Sequence, residues 1–281
     1  MIIDIHTHFM SAQEEFGPLL RADMRRCGIA EWPVSEAAYL EAVRPADMAV
    51  VFGLKAKMTG WHISNERVAE FAARRPDKFI YFASIDPYEY GFMDDLEFNH
   101  KELQCRGVKL GPIYQGVHPQ DERYGQIYEY CELHRLPVMI HMATTFSSGV
   151  PLDYARPIHM DAVACGFPQL RIILAHMGHP WEPEAIAVIR RNENVFADLS
   201  ALYYRPWQFY NSMRLAIEYG CCDKILFGSD YPATTTGASL DGVRGITALA
   251  EKAGLPPVPP DVIDKIIFCN TQKFLEDSGV L

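Results

Sequence analysis

The chain has 281 residues, of which 49% are hydrophobic, and a formal net charge of −10. This length suits two small domains or one large α/β barrel, and the hydrophobic share suffices for a large core. The negative net charge disfavours binding to nucleic acid that does not depend on its sequence. No segment approaches the ~20 apolar residues that would cross a bilayer. We therefore expect neither a nucleic-acid partner nor a membrane partner.

The cysteines and the beginning of the chain indicate a cytoplasmic location. The seven cysteines include no C-x-x-C pair and show no regular spacing, which is typical of reduced thiols. No basic segment precedes the first apolar run, and that run is too short for a signal peptide.

The first predicted strand, Ile2 to His8, ends in two histidines two residues apart. Side chains alternate between the faces of a strand, so His6 and His8 point the same way. Two imidazoles on one strand can hold one metal ion, and Asp4 on that face is expected to orient an imidazole. The alternative is a pair of ordinary surface histidines.

After an irregular stretch over residues 9–33, predicted strands and helices alternate. The strands cover 48–53, 79–85, 107–110, 137–141, 171–176, 195–199 and 224–230. The helices cover 35–43 (with Ser35 as N-cap), 63–75, 92–103, 124–134, 156–165, 183–191, 208–219, 239–253 and 260–277. Continuous apolar strands between amphipathic helices indicate a parallel sheet covered on both sides.

Eight strands in this length predict a single (β/α)₈ TIM-like barrel with extra C-terminal helices. An open doubly wound sheet is the alternative, although no glycine-rich nucleotide motif follows the first strand. No linker divides the chain, so we expect one domain over residues 1–281. Residues 9–33 are expected to form a loop or lid over the barrel mouth.

Six polar residues lie at predicted strand ends: His6, His8, Lys109, His141, His176 and Asp230. Barrel active sites lie at the C-terminal ends of the strands, so these side chains are expected to converge. Any one of them alone could be a buried structural residue or a turn cap. Three imidazoles and a carboxylate suit a catalytic zinc ion with one open position, and manganese or iron would also accept these ligands.

Five motifs occur in an order that resembles the amidohydrolase superfamily, specifically its amidohydrolase-related branch. They are Asp4–His8, Gly107–Leu110, Ile140-His141, Leu174–Gly178 and Phe227–Pro232. That branch includes aminocarboxymuconate-semialdehyde decarboxylase and γ-resorcylate decarboxylase. The resemblance implies one divalent ion, zinc first, held by His6, His8, His141 and Asp230, with His176 and Asp230 as catalytic residues. It is also the only basis for expecting a homodimer.

The resemblance leaves three roles open for Lys109. It could bind a substrate carboxylate as an ammonium, bridge two metals after carbamylation as in other branches, or be structural. The further substrate-binding candidates are His179, Arg25, Tyr114 and Arg205, and less specifically Arg26, Lys55, Trp61 and Tyr203. Asp198 is expected only to hold a loop or a neighbouring side chain.

The preferred function is a metal-dependent hydrolase of a small carboxylated ester, lactone or amide, in which a metal-activated water attacks and His176 or Asp230 transfers protons. The alternative is a non-oxidative decarboxylase of an aromatic or muconate-type acid. A non-catalytic barrel that binds a small molecule ranks third, because no expected ligand is missing.

Overall fold

The computed structural model describes residues 1–11, 13–29 and 35–281. The strands are β1 (Ile3–His8), β2 (Met48–Phe52), β3 (Lys55–Ala56), β4 (Trp61–His62), β5 (Phe79–Tyr81), β6 (Ala83–Ser84), β7 (Val108–Leu110), β8 (Val138–Ile140), β9 (Ile172–Leu174), β10 (Val195–Asp198) and β11 (Ile225–Leu226). The helices are α1 (Pro18–Arg26), α2 (Glu36–Ala42), α3 (Asn65–Ala73), α4 (Phe92–Lys101), α5 (Pro112–Gln115), α6 (Glu122–His134), α7 (His159–Gly166), α8 (Glu182–Arg191), α9 (Pro206–Glu218), α10 (Thr236–Lys252), α11 (Pro260–Lys265) and α12 (Thr271–Asp277).

Parallel strands form the wall of the barrel. One run is ordered β1-β2-β5, and a second is ordered β6-β7-β8-β9-β10-β11. The strands β5 and β6 are two parts of one strand interrupted at Phe82, whose amide donates to the Val51 carbonyl. The next amide, that of Ala83, donates to the Gly107 carbonyl. The two runs are therefore continuous through this strand.

Hydrogen bonds between the first strand and the last close the ring. The Ile5 amide donates to the Phe227 carbonyl at 3.0 Å, and the Asp230 amide donates to the His6 carbonyl at 2.8 Å. With β5 and β6 counted as one, eight parallel strands surround the interior. The predicted TIM-like barrel is confirmed, and the open doubly wound sheet is wrong.

Two apolar layers follow from the alternation of side chains along the strands. One layer fills the barrel interior and includes Ile5, Phe52 and Ile173. The larger layer lies between the strands and the surrounding helices. Phe274 and Leu275 of α12 join the interior layer, so the C-terminal helix contributes to the core of the barrel.

The segment over residues 9–33 is more regular than predicted. It contains a 3₁₀ turn at Gln13–Glu15 and the helix α1, whereas residues 12 and 30–33 lie outside the described residues. Proline is tolerated at the first helical position, which Pro18 occupies, and Leu20 and Met24 are buried one turn apart. The antiparallel pair β3–β4 was also not predicted.

The other predicted helices are confirmed, with shifted ends. Ser35 caps α2 as predicted, since its side chain accepts a hydrogen bond from the Ala38 amide at 3.2 Å. The predicted helix over residues 260–277 comprises α11, a π-helical turn at Ile266–Asn270 and α12. Among the described helices, none combines the length and the apolar character that spanning a membrane requires.

Candidate metal centre

The structure brings the six predicted polar residues to one end of the barrel, although several lie beyond the regular strands. His6 and His8 are on β1, and Lys109 is on β7. His141 directly follows β8, and His176 lies in a turn after β9 with φ +60°. Asp230 lies four residues beyond β11 with φ +66°. The predicted fifth, sixth and eighth strands therefore end earlier than the sequence pattern suggested.

Three candidate ligand atoms, two from β1 and one from the segment after β11, meet in a triangle. Nε2 of His6 lies 3.3 Å from Nε2 of His8 and 3.1 Å from Oδ1 of Asp230. The third side, from Nε2 of His8 to Oδ1 of Asp230, is 3.3 Å. Two ligands about 2.0–2.1 Å from a tetrahedral zinc ion would lie about 3.3 Å apart. These side chains therefore fit a divalent ion.

The environment keeps three of the imidazoles neutral, which is the form that metal ligation requires. Burial lowers the pKa of His8 to about 3 and that of His176 to about 4. Burial also lowers the pKa of His141. Although burial alone would raise the pKa of Asp230, His176 and His6 hold it well below its usual range. Burial alone would lower the pKa of His6, but Asp198 and Asp230 raise it. The site thus presents three neutral imidazoles and a carboxylate.

Asp198 and Ser200 fix the orientation of two of the imidazoles. Nδ1 of His6 donates to Oδ2 of Asp198 at 2.8 Å, which leaves its Nε2 free for the ion. The Ser200 hydroxyl donates to Asp198 and lies 2.8 Å from Nδ1 of His176. Asp198 holds a neighbouring side chain, as expected, whereas nothing in the sequence had singled out Ser200.

Asp4 does not contact an imidazole, contrary to expectation. Its carboxylate accepts hydrogen bonds from the Ser229 amide at 2.8 Å and the Thr236 hydroxyl at 2.6 Å. It also accepts one from the backbone amide of His6 at 3.3 Å. Asp4 therefore ties the backbone of the first strand to that of the last, and Asp198 orients the ring.

His141 and Lys109 lie beside the triangle, and each contacts a different histidine. Nδ1 of His141 lies 3.2 Å from Nε2 of His176. Nζ of Lys109 lies 3.2 Å from Nε2 of His6, and its charge sits 4.8 Å from the centroid of the Phe52 ring. Burial lowers the pKa of Lys109 to about 8, although the negative charges of Asp198 and Asp230 act to raise it.

The motif around Asp230 needs a glycine because the last strand approaches the first very closely. A Cβ atom on Gly228 would lie 2.9 Å from Cβ of His6 and 3.2 Å from Cγ2 of Ile5. Any larger residue would push against the strand that carries His6. Gly228 therefore allows Asp230 and His6 to meet.

A cavity of about 380 Å³ opens onto the candidate metal centre. His8, Lys109, His141, His176 and Asp230 all line it. Much of the remaining wall is apolar or aromatic, including Leu54, Trp61, Tyr114, Phe146, Leu202 and Tyr204. The volume suits a small molecule with one ring.

The substrate-binding candidates divide between the cavity and the surface. His179, Tyr114, Arg205 and Trp61 line the cavity, and the Tyr114 ring centroid lies 4.7 Å from that of His141. Arg25 is exposed on α1.

Three of the less specific candidates make structural contacts instead. Lys55 pairs with Glu89 and Asp95. Arg26 donates to the Phe146 carbonyl at 2.8 Å. The Tyr203 hydroxyl donates to the Gly228 carbonyl at 2.7 Å.

Comparison with known proteins identifies both a family and a fold. A family model described as amidohydrolase matches residues 3–276, whereas no curated protein matches. An uncharacterised TIM-barrel protein from Bordetella bronchiseptica is similar in structure, with 24% identity, 99% of each chain covered and a TM-score of 0.74.

The names of two further similar structures describe two different reactions. A probable 2-pyrone-4,6-dicarboxylic acid hydrolase from Acinetobacter baumannii shares 14% identity, covering 98% of this chain and 99% of that one, with a TM-score of 0.66. A dihydroxybenzoic acid decarboxylase from Polaromonas sp. JS666, with bound manganese, shares 16% identity over 98% and 96%, with a TM-score of 0.66. At these identities the structures show the fold, and the match of the family model shows that the chain belongs to the amidohydrolase family.

Proposed function

We propose that the chain is a metal-dependent hydrolase of a small carboxylated ester, lactone or amide. The observation that carries the proposal is the triangle of His6, His8 and Asp230, of which His8 and Asp230 line a cavity of about 380 Å³. His141 completes the proposed ligand set, because its Nδ1 belongs to a neutral imidazole that lines the same cavity.

The proposed cofactor is one divalent ion, with zinc preferred for this nitrogen and oxygen set and manganese or iron as alternatives. When bound, it would lower the pKa of a water molecule toward ~7 and polarise a substrate carbonyl. The chain's own part is to hold the imidazoles of His8 and His141 neutral and Asp230 ionised in a largely apolar cavity.

His176 is the proposed general base, together with Asp230. The Ser200 carbonyl lies 3.1 Å from Nδ1 of His176 and accepts a hydrogen bond from it, so Nε2 carries the lone pair. Since burial keeps the ring neutral at pH 7, Nε2 can take a proton from the attacking water and return it to the leaving group.

Lys109 is proposed to bind a substrate carboxylate as an ammonium. Its amine lies beside His6 and faces the cavity, so a carboxylate there would gain a charge-assisted hydrogen bond. The same amine could instead be carbamylated to bridge two ions, which would require a second equivalent of metal.

A carboxy-lyase is the second candidate, because the cavity wall favours a flat ring. Trp61 packs edge-on to Tyr114, with ring centroids 5.8 Å apart, and Phe146 lies 6.4 Å from Trp61. In that reaction His176 or Asp230 would supply the proton to the carbon that loses CO₂. A non-catalytic binding barrel ranks below both enzymes.

Parallel assays of the metal-loaded protein distinguish these functions. We expect acid release from carboxylated lactones or aryl esters, abolished in His176→Ala. Release of CO₂ from 2,6-dihydroxybenzoate or related aromatic acids, without acid release, would favour the carboxy-lyase. Tight binding of such acids with neither reaction would favour the binding barrel.

A further inference from the structure

Two histidines and an aspartate form a cluster outside the cavity. Nε2 of His159 lies 3.1 Å from Oδ2 of Asp153, and the ring centroids of His118 and His159 lie 4.4 Å apart. One candidate ligand atom from each of the three residues lies within 4.8 Å of the other two. None of the three is among the described residues that line the cavity. The cluster is therefore separate from the candidate metal centre.

Two segments that follow neighbouring strands supply the cluster. His118 follows α5, which comes after β7. Asp153 lies in a 3₁₀ turn at Leu152–Ala155 after β8, and His159 begins α7. The side-chain amide of Gln120 donates to the His159 carbonyl at 3.2 Å, so the two segments are already in contact. An ion held by the cluster would join them more firmly.

The separation between His159 and Asp153 suits two ligands of one ion. It equals the 3.1 Å between Nε2 of His6 and Oδ1 of Asp230, and two ligands of a tetrahedral zinc ion lie about 3.3 Å apart. The ring of His118 must approach by at most about 1.5 Å, from 4.8 Å to that spacing. Since the aspartate is exposed and both rings are half-buried, rotation of the side chains can close this gap.

The ring of His118 can supply a lone pair to an ion. Its Nδ1 accepts a hydrogen bond from the Gln120 amide at 3.2 Å, so Nε2 carries the proton of the neutral ring. An ion at Nδ1 would replace that amide, and an ion at Nε2 would displace the proton. In both cases the amide of the exposed Gln120 can bond to water instead. Burial and the charge of His159 lower the pKa of His118, which favours the neutral ring that ligation requires.

The surrounding charges leave the Asp153 carboxylate available. The Arg156 guanidinium comes within 3.8 Å of Oδ1 of Asp153, but it makes its closer ion pair with Glu184. Glu184 therefore offsets the positive charge that would otherwise repel an ion. The other oxygen, Oδ2, is the one that faces His159.

We propose that His118, Asp153 and His159 bind a second divalent ion, of the zinc type, apart from the ion of the metal centre. Two imidazoles and a carboxylate suit zinc and leave a fourth position for water. Tyr114 lies shortly before His118 in the chain, and Phe146 lies shortly before Asp153. The ion would therefore join the two segments that carry these cavity residues. Because half-exposed ligands must be ordered on binding, the affinity is moderate and desalting removes this ion.

Equilibrium dialysis against zinc, followed by elemental analysis, tests the proposal. Wild-type protein should take up a second equivalent as free zinc rises through the micromolar range. In His159→Gln and in Asp153→Asn the affinity for this equivalent should fall about 10- to 100-fold, since even a group that only orients a ligand contributes that much. The second equivalent should also slow amide hydrogen exchange over residues 144–155 in wild type, and not in the two variants.

His134→Gln is the matched control, because His134 is an exposed histidine whose ring lies 5.0 Å from that of His100. Its second equivalent should bind as in wild type. No second equivalent in wild type, equal binding by His159→Gln, unchanged hydrogen exchange, or a carbamate mass on Lys109 would each overturn the proposal. A single equivalent in wild type that His159→Gln removes would support this site and contradict the metal centre instead.

Discussion

At the scale of single residues, Ser200 links two imidazoles that have different proposed roles. Its hydroxyl lies 3.1 Å from Nδ1 of His6 and 2.8 Å from Nδ1 of His176, and it donates to Asp198. A proposed metal ligand and the proposed base therefore share one hydrogen-bond network, which sets the tautomer of both rings.

Replacing Ser200 with alanine should lower kcat about 10- to 100-fold, the usual cost of removing a group that orients a ligand. Metal content should be largely kept, because Asp198 still holds His6. The measurement is steady-state kinetics together with metal analysis. Ser212→Ala is the control, since Ser212 is a buried serine of α9 that bonds the Gln208 carbonyl. Equal kinetics for the two variants would contradict the assigned role.

Lys109 makes the stability of the metal-free protein depend on pH. Burial lowers its pKa from 10.5 to about 8, so the unfolded state binds more protons between these values. The free energy of unfolding therefore rises with pH across this window, and the cost of burying the charge is largest below about pH 8. That cost is about 3 kcal/mol at full effect.

The variant Lys109→Met should lack this dependence. Relative to wild type it should gain most stability at pH 7.5 and progressively less toward pH 10, as measured by urea unfolding without metal. Lys101→Met provides the control, because Lys101 is exposed and pairs with Glu97. A stability difference for Lys109→Met that does not change with pH would count against a charged, desolvated lysine.

At the scale of elements, α1 is fastened to the loop that follows β8. Asp23 accepts hydrogen bonds from the Ser148 amide at 2.7 Å and from its hydroxyl at 3.0 Å. Arg26 reaches the Phe146 carbonyl from the same helix. Since Phe146 and Ile29 both line the cavity, we propose that this segment covers the substrate, as the expected lid over residues 9–33 would.

Asp23→Asn should loosen this attachment, because the amide accepts less strongly than the carboxylate. Cleavage by trypsin after Arg25 and Arg26 should become several-fold faster, and KM should rise while the metal content stays constant. Asp241→Asn, an exposed position on α10, controls for the loss of charge. Unchanged cleavage and an unchanged KM would reject the role of α1 as a lid.

The sequence predicted the order of the elements better than their ends. Hydrophobic runs continue through Ala175-His176 and Phe227-Gly228, where the backbone has already left the strand. Left-handed conformations at His176 and Asp230 depend on tertiary hydrogen bonds and leave no signal in the residue pattern. The sequence does not predict the helix α1, because the dipeptide Gly17-Pro18 is typical of a loop.

At the scale of the whole molecule, the sequence predicted which residues converge but not which groups support them. The repeated strand–helix unit places six polar residues at one end of a barrel without knowledge of any contact. Ser200, and the pairing of Glu182 with His179, depend on how neighbouring strands and helices pack. Periodicity alone does not tell which carboxylate, that of Asp4 or that of Asp198, orients an imidazole, because each is an acidic residue on a strand.

We propose that His6, His8, His141 and Asp230 hold one divalent ion, and that His176 is not needed as a ligand. The most direct test is elemental analysis of purified wild-type protein, Asp230→Ala and His176→Ala, in equivalents of metal per chain. We predict about one equivalent in wild type and in His176→Ala, and almost none in Asp230→Ala. A wild-type protein that retains no metal, or a His176→Ala protein without metal, would contradict this assignment of ligands. Two equivalents with a carbamate mass on Lys109 would contradict it as well.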